Sequence, residues 1–236
     1  MNKEPEFCNA EREISNTRQK IFDDFNGFIF SEDSRVFNKL IARTVLFNKV
    51  IDIPGDIVEC GVFKGSGMFT WLKLKRALAP NSFKKIIGFD IFDSEELVDS
   101  LSGIDKETMG ELFRNRKFKL DYDYYDILNM MIKDAGFLES DYELICGDIS
   151  KTAQDMVNKR PGFKISLLYL DLDLEKPTYE ALSALWPRVA KGGIVVFDEY
   201  AYHQWSESLG VDKFVEENNL QVKLLNFNAP TAYIQK

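Results

Sequence analysis

The chain has 236 residues, 45% of them hydrophobic, enough for one good-sized domain with a proper core. Its 30 Lys and Arg stand against 38 Asp and Glu, and the net charge of -8 without a basic stripe argues against nucleic acid or an anionic membrane as partner. Cys8, Cys60 and Cys146 show no C-x-x-C spacing, no apolar run approaches membrane-span length, and the N-terminus lacks a signal peptide's apolar core. The expectation is a soluble, cytoplasmic protein with free thiols.

Residues 1 to about 33 are polar and then aromatic, with Phe22, Phe25, Phe28 and Phe30 close together. Ser31 to Ser34 offers a helix cap, and Val36, Phe37, Leu40, Ile41, Val45, Leu46 and Val50 follow at helical spacing until Pro54-Gly55. Residues 1–50 therefore read as a helical appendage, either a cover for the active site or an ordinary packing layer. From there strands are expected at 56–61, 85–90, 142–147, 165–171, 193–198, 221–226 and 231–235. Helices are expected near 68–78, 152–159, 177–189 and 209–218, with Gly192-Gly193 closing the third of these. This alternation predicts a single α/β domain over 1–236, with βαβ units, a mostly parallel sheet and helices on both faces. The short link through Asn228-Ala-Pro230 leaves no room for a helix, so the last two strands form an antiparallel hairpin at the sheet edge. Residues 94–141 exceed a simple crossover and read as an insertion near the active site; it includes the run Asp121-Tyr-Asp-Tyr-Tyr-Asp126.

The segment Asp56-Ile-Val-Glu-Cys-Gly-Val-Phe-Lys-Gly-Ser-Gly67 reads as a strand turning through three glycines into a helix. Glycines at such a turn let a ligand lie against the backbone, and the helix start offers N–H groups to an anion. No Lys-Ser/Thr pair follows, so it is not a P-loop, and the G-x-G-x-x-G fingerprint fails at Thr70. Acids end five parallel strands in turn: Glu59, Asp90, Asp148, Asp171 with Asp173, and Asp198 with Glu199. Ligands of open α/β sheets bind at those ends. Asp90, about 20 residues beyond the glycine turn, stands where a carboxylate takes the ribose hydroxyls of an adenosine cofactor. Asp171, Asp198 and Glu199 supply hard oxygen ligands of the kind Mg²⁺ prefers, with Asp173 on the same face as Asp171.

Four ordered segments carry a family resemblance: Gly55-Asp-Ile-Val-Glu-Cys-Gly-Val-Phe-Lys-Gly65, Gly88-Phe-Asp-Ile-Phe-Asp93, Leu170-Asp-Leu-Asp-Leu-Glu-Lys-Pro-Thr178 and Gly192-Gly-Ile-Val-Val-Phe-Asp-Glu-Tyr200. Together they resemble the macrocin O-methyltransferase (TylF-type) family of class I S-adenosylmethionine-dependent methyltransferases, over about residues 54 to 200. The resemblance implies a Rossmann-like, seven-stranded sheet, S-adenosyl-L-methionine as methyl donor, and Mg²⁺-dependent methylation of a sugar hydroxyl. The acceptor would be a deoxysugar, nucleotide-linked or on a glycosylated natural product, and the protein a homo-oligomer. Glu59, Gly61, Val62, Gly65 and Ser66 would line the methionine end. Asp90 would hold the ribose and Asp148 with Ile149 would lie by the adenine, with Ile91 and Asp171 also among the cofactor-binding residues. Asp171, Asp198 and Glu199 would bind metal. Two departures stand out: Glu175-Lys176 replaces the usual Tyr-Glu, and Asp198-Glu199-Tyr200 replaces Asp-Asp-Tyr.

Methyl transfer is an in-line displacement that needs an oriented, deprotonated acceptor oxygen. His203, the only histidine, follows the Asp198–Tyr200 turn and is the leading base candidate, with Lys176 or the metal alone as the substitute; Asp171 is the other residue expected to be catalytic. The other readings are a small phenolic or catechol-like acceptor on the same fold, and a non-catalytic S-adenosylmethionine-binding protein.

Overall fold

The computed structural model describes the backbone of residues 6–30, 32, 34–116 and 124–236, and side chains for 18–30, 32, 34–115 and 124–236 of these. The cap expected across Ser31 to Ser34 and the first half of the acidic, aromatic run at 121–126 fall on residues outside that description. The chain forms two compact units, Met1–Phe37 and Asn38–Lys236.

The first unit contains α1 (Glu6–Phe30) and the start of α2 (Ser34–Val50). Pairs four residues apart support α1: Gln19 with Asp23 and Lys20 with Asp24. The Phe28 and Phe37 rings lie 6.0 Å apart, while Phe22, Phe25 and Phe30 are exposed.

In the second unit, β1 (Asp56–Cys60), α3 (Ser66–Leu78) and β2 (Ile86–Asp90) form the first βαβ unit. Three helices follow: α4 (Ser94–Ser100), α5 (Gly103–Arg116) and α6 (Tyr124–Asp134). Then come β3 (Tyr142–Cys146), α7 (Ile149–Lys159), β4 (Ile165–Leu170), α8 (Glu175–Leu185), β5 (Val189–Phe197), α9 (Glu207–Glu217), β6 (Lys223–Leu224) and β7 (Ala232–Gln235). The seven strands are ordered β3-β2-β1-β4-β5-β7-β6. The first five are parallel, β7 runs antiparallel to β5, and β6 pairs antiparallel with β7 at the edge. The expected hairpin is present, inserted so that its second strand meets the parallel sheet.

Strand alternation divides the core between two faces. Val58, Leu168, Leu170 and Val195 pack with α7, α8 and α9, whereas Ile57, Leu167, Tyr169 and Val196 pack with α2, α3 and α6. Among the described residues no helix is long and apolar enough to cross a membrane.

Two expected features are corrected. Gly192-Gly193 does not close a helix. Pro187, which has no N–H to continue the ladder, reduces the end of α8 to one 3₁₀ turn, and β5 starts at Val189. The glycines then lie in a bulge of β5, between the pairs Ile165–Val189 and Leu167–Ile194. The buried face of α2 is also rotated from the one expected: Leu40, Ile41 and Val45 are exposed, and Ala42, Arg43, Leu46, Phe47 and Val50 are buried. A paired arginine occupies the centre of that face.

Candidate active site

The glycine turn is built by close backbone approach. Gly61 has φ +90° and donates its N–H to the Phe89 carbonyl, while the Asp171 N–H goes to the Cys60 carbonyl, both at 2.9 Å. A Cβ on Gly61 would lie 1.8 Å from the Asp171 carbonyl oxygen, so the ends of β1 and β4 meet only because nothing stands there. Gly65, at φ +83°, precedes the first residue of α3, and Gly67 passes directly over the Glu59 carboxylate. The first N–H groups of α3 thus open towards the sheet end, where an anion is favoured.

Asp90 organises the loop on the other side. Its Oδ2 accepts from the N–H groups of Val62 (2.8 Å) and Phe63 (2.7 Å), and its Oδ1 from Phe92 (2.8 Å). Phe63 and Phe92 both hold positive φ, at 48° and 55°. Such strain persists where the surrounding structure fixes it, and three bonds to one carboxylate fix it here. Burial still raises the Asp90 pKa, with the N–H donors opposing.

Behind the glycine turn lies a charged cluster on the ends of β1, β4 and β5. Glu59 is almost fully buried, and its Oε1 meets Nη2 of Arg43 at 3.3 Å. The Arg43 guanidinium lies over the rings of Tyr169 and Trp71, 4.9 and 5.7 Å from their centres. Glu59 Oε2 and Arg43 Nε have no hydrogen-bond partner. Burial pushes the Glu59 pKa up to about 7, against the pull of Arg43. Asp198 accepts a hydrogen bond from Tyr169 at Oδ1 and one from Lys39 Nζ at Oδ2, the latter 2.6 Å long. The same ammonium stands 3.7 Å from Asp171 Oδ2. Removal from water and then the Asp198 charge raise the Asp171 pKa to about 6, with Lys39 and Arg43 opposing. Asp173 and Glu207 are held well above the ordinary carboxylate range, first by burial and then by neighbouring acids.

A pH dependence follows from Glu59. Its folded pKa exceeds its unfolded one, so the folded state binds the extra proton and stability falls as pH rises from about 4.5 to about 7. One such group contributes at most about 1.4 kcal/mol per pH unit. Melting of the metal-free protein should therefore lose ground to Glu59→Gln across that range and run parallel to it above. A gap independent of pH would contradict the assignment.

A cavity of about 810 Å³ lies over the strand ends. It is bordered by Glu59, Gly61, Val62 and Ser66 of the turn, by Asp90 and Ile91, by Asp148 and Ile149, and by Asp171 and Glu199. Gly65 and Asp198 support it from behind; Asp198 is fully buried. Asp148 caps α7 through Ser150, and the side chains of Ile149 and Phe92 offer apolar surface beside it. The 94–141 segment supplies a wall through Met109, Leu112, Phe113 and Tyr124. His203 lies on the exposed loop after β5, and Lys176 is exposed beside Glu180 on α8; neither lines the cavity. Lys39, Arg43, Tyr169 and Glu207 are site residues that the strand-end pattern missed.

An adenosine cofactor with an amino-acid tail fits this cavity. Its volume is that of a small-molecule pocket, with apolar walls near Asp148 and a side-chain-free cradle at Gly61 and Gly67. The acids fit a hard divalent cation in chemistry: the carboxylates repel one another, and buried Oε2 atoms of Glu59 and Glu207 lack partners. Among the described residues no three His, Cys, Asp or Glu side chains stand in a ligating arrangement; the Lys39 ammonium stands between Asp171 and Asp198 instead.

A glycine turn after β1, an acid ending β2 and the 3-2-1-4-5-7-6 sheet define a class I methyltransferase fold. The chain belongs to the macrocin-O-methyltransferase (TylF) family, whose model matches residues 38–236. It is 25% identical over 164 residues to demethyldecarbamoylnovobiocin O-methyltransferase of Streptomyces niveus, covering 63% of this chain and 54% of that protein. A second relative, 8-demethyl-8-(2,3-dimethoxy-alpha-L-rhamnosyl)-tetracenomycin-C 4'-O-methyltransferase of Streptomyces olivaceus, is 24% identical over 156 residues, with the same coverage of 63% and 54%. The chain spans about half the length of these curated relatives. Among solved structures, the calicheamicin methyltransferase CalS11 superposes with a TM-score of 0.74 at 23% identity, covering 100% of this chain and 94% of that one. That likeness establishes the fold.

Proposed function

We propose that the protein is an S-adenosylmethionine- and Mg²⁺-dependent O-methyltransferase acting on a hydroxyl of a sugar, nucleotide-linked or on a glycosylated natural product. The observation that carries this reading is the cavity itself, with a cofactor cradle at Gly61–Gly67 opening onto the Asp171 carboxylate, behind which Asp198 is buried. The names of the matched relatives, which include a rhamnosyl-tetracenomycin methyltransferase, support a sugar-linked acceptor. The cofactor, when bound, supplies an electrophilic methyl group on sulfur, and a divalent cation supplies a Lewis acid that lowers the pKa of an oxygen it holds.

The chain's own residues do the rest. Glu59, Val62 and Ser66 fix the amino-acid end of the cofactor, Asp90 and Ile91 its ribose, and Asp148 and Ile149 its adenine. Asp171, Asp198 and Glu199 hold the cation. Tyr169 and Arg43 keep the Asp198 and Glu59 carboxylates in position. Met109, Phe113 and Tyr124 keep water from the reacting atoms. The acceptor proton passes to Asp171 Oδ, which borders the cavity; His203, on the exposed loop, is the second candidate. The exposed Phe22, Phe25 and Ile29 of α1 support a homo-oligomer, and the free thiol of Cys60 supports a cytoplasmic setting.

Methyl transfer from isotopically labelled S-adenosylmethionine to a panel of nucleotide deoxysugars, followed by mass spectrometry, tests the reading. Asp171→Asn should lower turnover by about 10² or more, the usual worth of a positioned proton acceptor, and His203→Ala by less than about threefold. Equal losses would return the base role to His203. Labelled catechols accepted in place of sugars would move the acceptor class, and cofactor binding that Asp198→Asn leaves intact without any turnover in wild type would make the protein a sensor.

A further inference from the structure

Two cations face the acid cluster from successive turns of α2, and they are held in opposite ways. Arg43 is enclosed between Trp71 and Tyr169, its side chain only 7% exposed. Lys39 reaches the cluster on a flexible four-carbon stem, its side chain 32% exposed and bordering the cavity. Its ammonium donates to Asp198 Oδ2 at 2.6 Å and lies 3.7 Å from Asp171 Oδ2. The other Asp198 oxygen already accepts from Tyr169.

A hard divalent cation binds through the same carboxylate oxygens. An ammonium hydrogen-bonded to the Asp198 oxygen and 3.7 Å from the Asp171 oxygen would repel it strongly in this poorly solvated place. The two occupants therefore exclude each other. Ala42, Leu46, Phe47 and Val50 anchor α2 in the core, so the exchange needs only the lysine stem to turn towards the cavity.

We propose that Lys39 is a tethered counter-ion that holds the Asp171–Asp198 pair together and competes with the divalent cation for it. This rests on the metal site proposed above. The lysine spares the acids an uncompensated charge before metal arrives, and it weakens metal affinity in return. Its release on metal binding delivers a cationic donor to the cavity wall, beside any acceptor.

The test is direct titration with Mn²⁺, read by electron paramagnetic resonance, on wild type, Lys39→Met and Asp198→Asn. Lys39→Met should bind Mn²⁺ about tenfold more tightly than wild type, or better, because a unit positive charge has left the site. Equal or weaker binding overturns the proposal while leaving the metal site standing. Failure to find any Mn²⁺ binding that Asp198→Asn abolishes removes both. A second measurement needs no variant: acetylation of lysines in wild type, mapped by mass spectrometry. Lys39 should become several-fold more reactive when Mg²⁺ is added, with exposed Lys176 unchanged as control. No change at Lys39 in saturating Mg²⁺ also overturns the proposal.

Discussion

Replacing Arg43 with methionine will destabilise the protein by about 3–5 kcal/mol, the cost of removing one partner of a buried ion pair. Methionine keeps the stem's volume, so the loss is chiefly one of charge. Glu59 then keeps its place beneath Gly67 with neither oxygen paired, because Arg43 is the partner that its Oε1 meets. At about 2–4 °C per kcal/mol for a chain of this size, melting falls by roughly 6–20 °C. The double variant Arg43→Met/Glu59→Gln should recover a large part, since the charge that needed compensation is gone. An Arg43→Met protein that melts like wild type would show that the pair contributes nothing to the fold.

Gly61→Ala is expected to be the most damaging single substitution in the turn. The added methyl would meet a main-chain carbonyl at 1.8 Å, and φ of +90° is itself unfavourable for alanine. No rotamer relieves a clash with backbone, so the ends of β1 and β4 must separate, which also breaks the Asp171-to-Cys60 hydrogen bond. The cost should exceed about 4 kcal/mol, the range reserved for backbone strain and core disruption. By contrast Gly162→Ala, where nothing lies within 4 Å of the new Cβ, serves as the control and should melt within about 2 °C of wild type. A soluble Gly61→Ala protein with unchanged melting would contradict the close approach.

Much of the fold could be read from the chain because its strands are short apolar runs that end in acids, and turn signals separate them. The same pattern placed Glu59, Asp90, Asp148, Asp171 and Glu199 at one end of the sheet, where they border the cavity. The cations were harder to see. Lys39 and Arg43 are spaced four apart and continue at i+3 and i+4 into Leu46, Phe47 and Val50. A charged pair in register with an apolar stripe was the available signal, but exposed Leu40, Ile41 and Val45 offered a more hydrophobic stripe beside it. Tyr169 read as one more strand hydrophobe, and only its fully buried hydroxyl, donating to Asp198, gives it a polar role. Gly192-Gly193 carried the signature of a helix stop, yet Pro187 had already ended the helix, leaving the glycines to the β5 bulge. Propensity marked the break correctly and misjudged which side of it was strand.

The central claim is that the cavity over the strand ends seats S-adenosylmethionine beside a metal. It is tested most directly by melting with S-adenosylhomocysteine, in Mg²⁺ and in EDTA. At about a hundred times its dissociation constant the ligand should add about 2.7 kcal/mol. That is a rise of roughly 5–10 °C for a domain of this size. A rise of that order, altered by metal, is the expected result. No rise in either condition would contradict the claim and leave the glycine turn a structural feature of the fold.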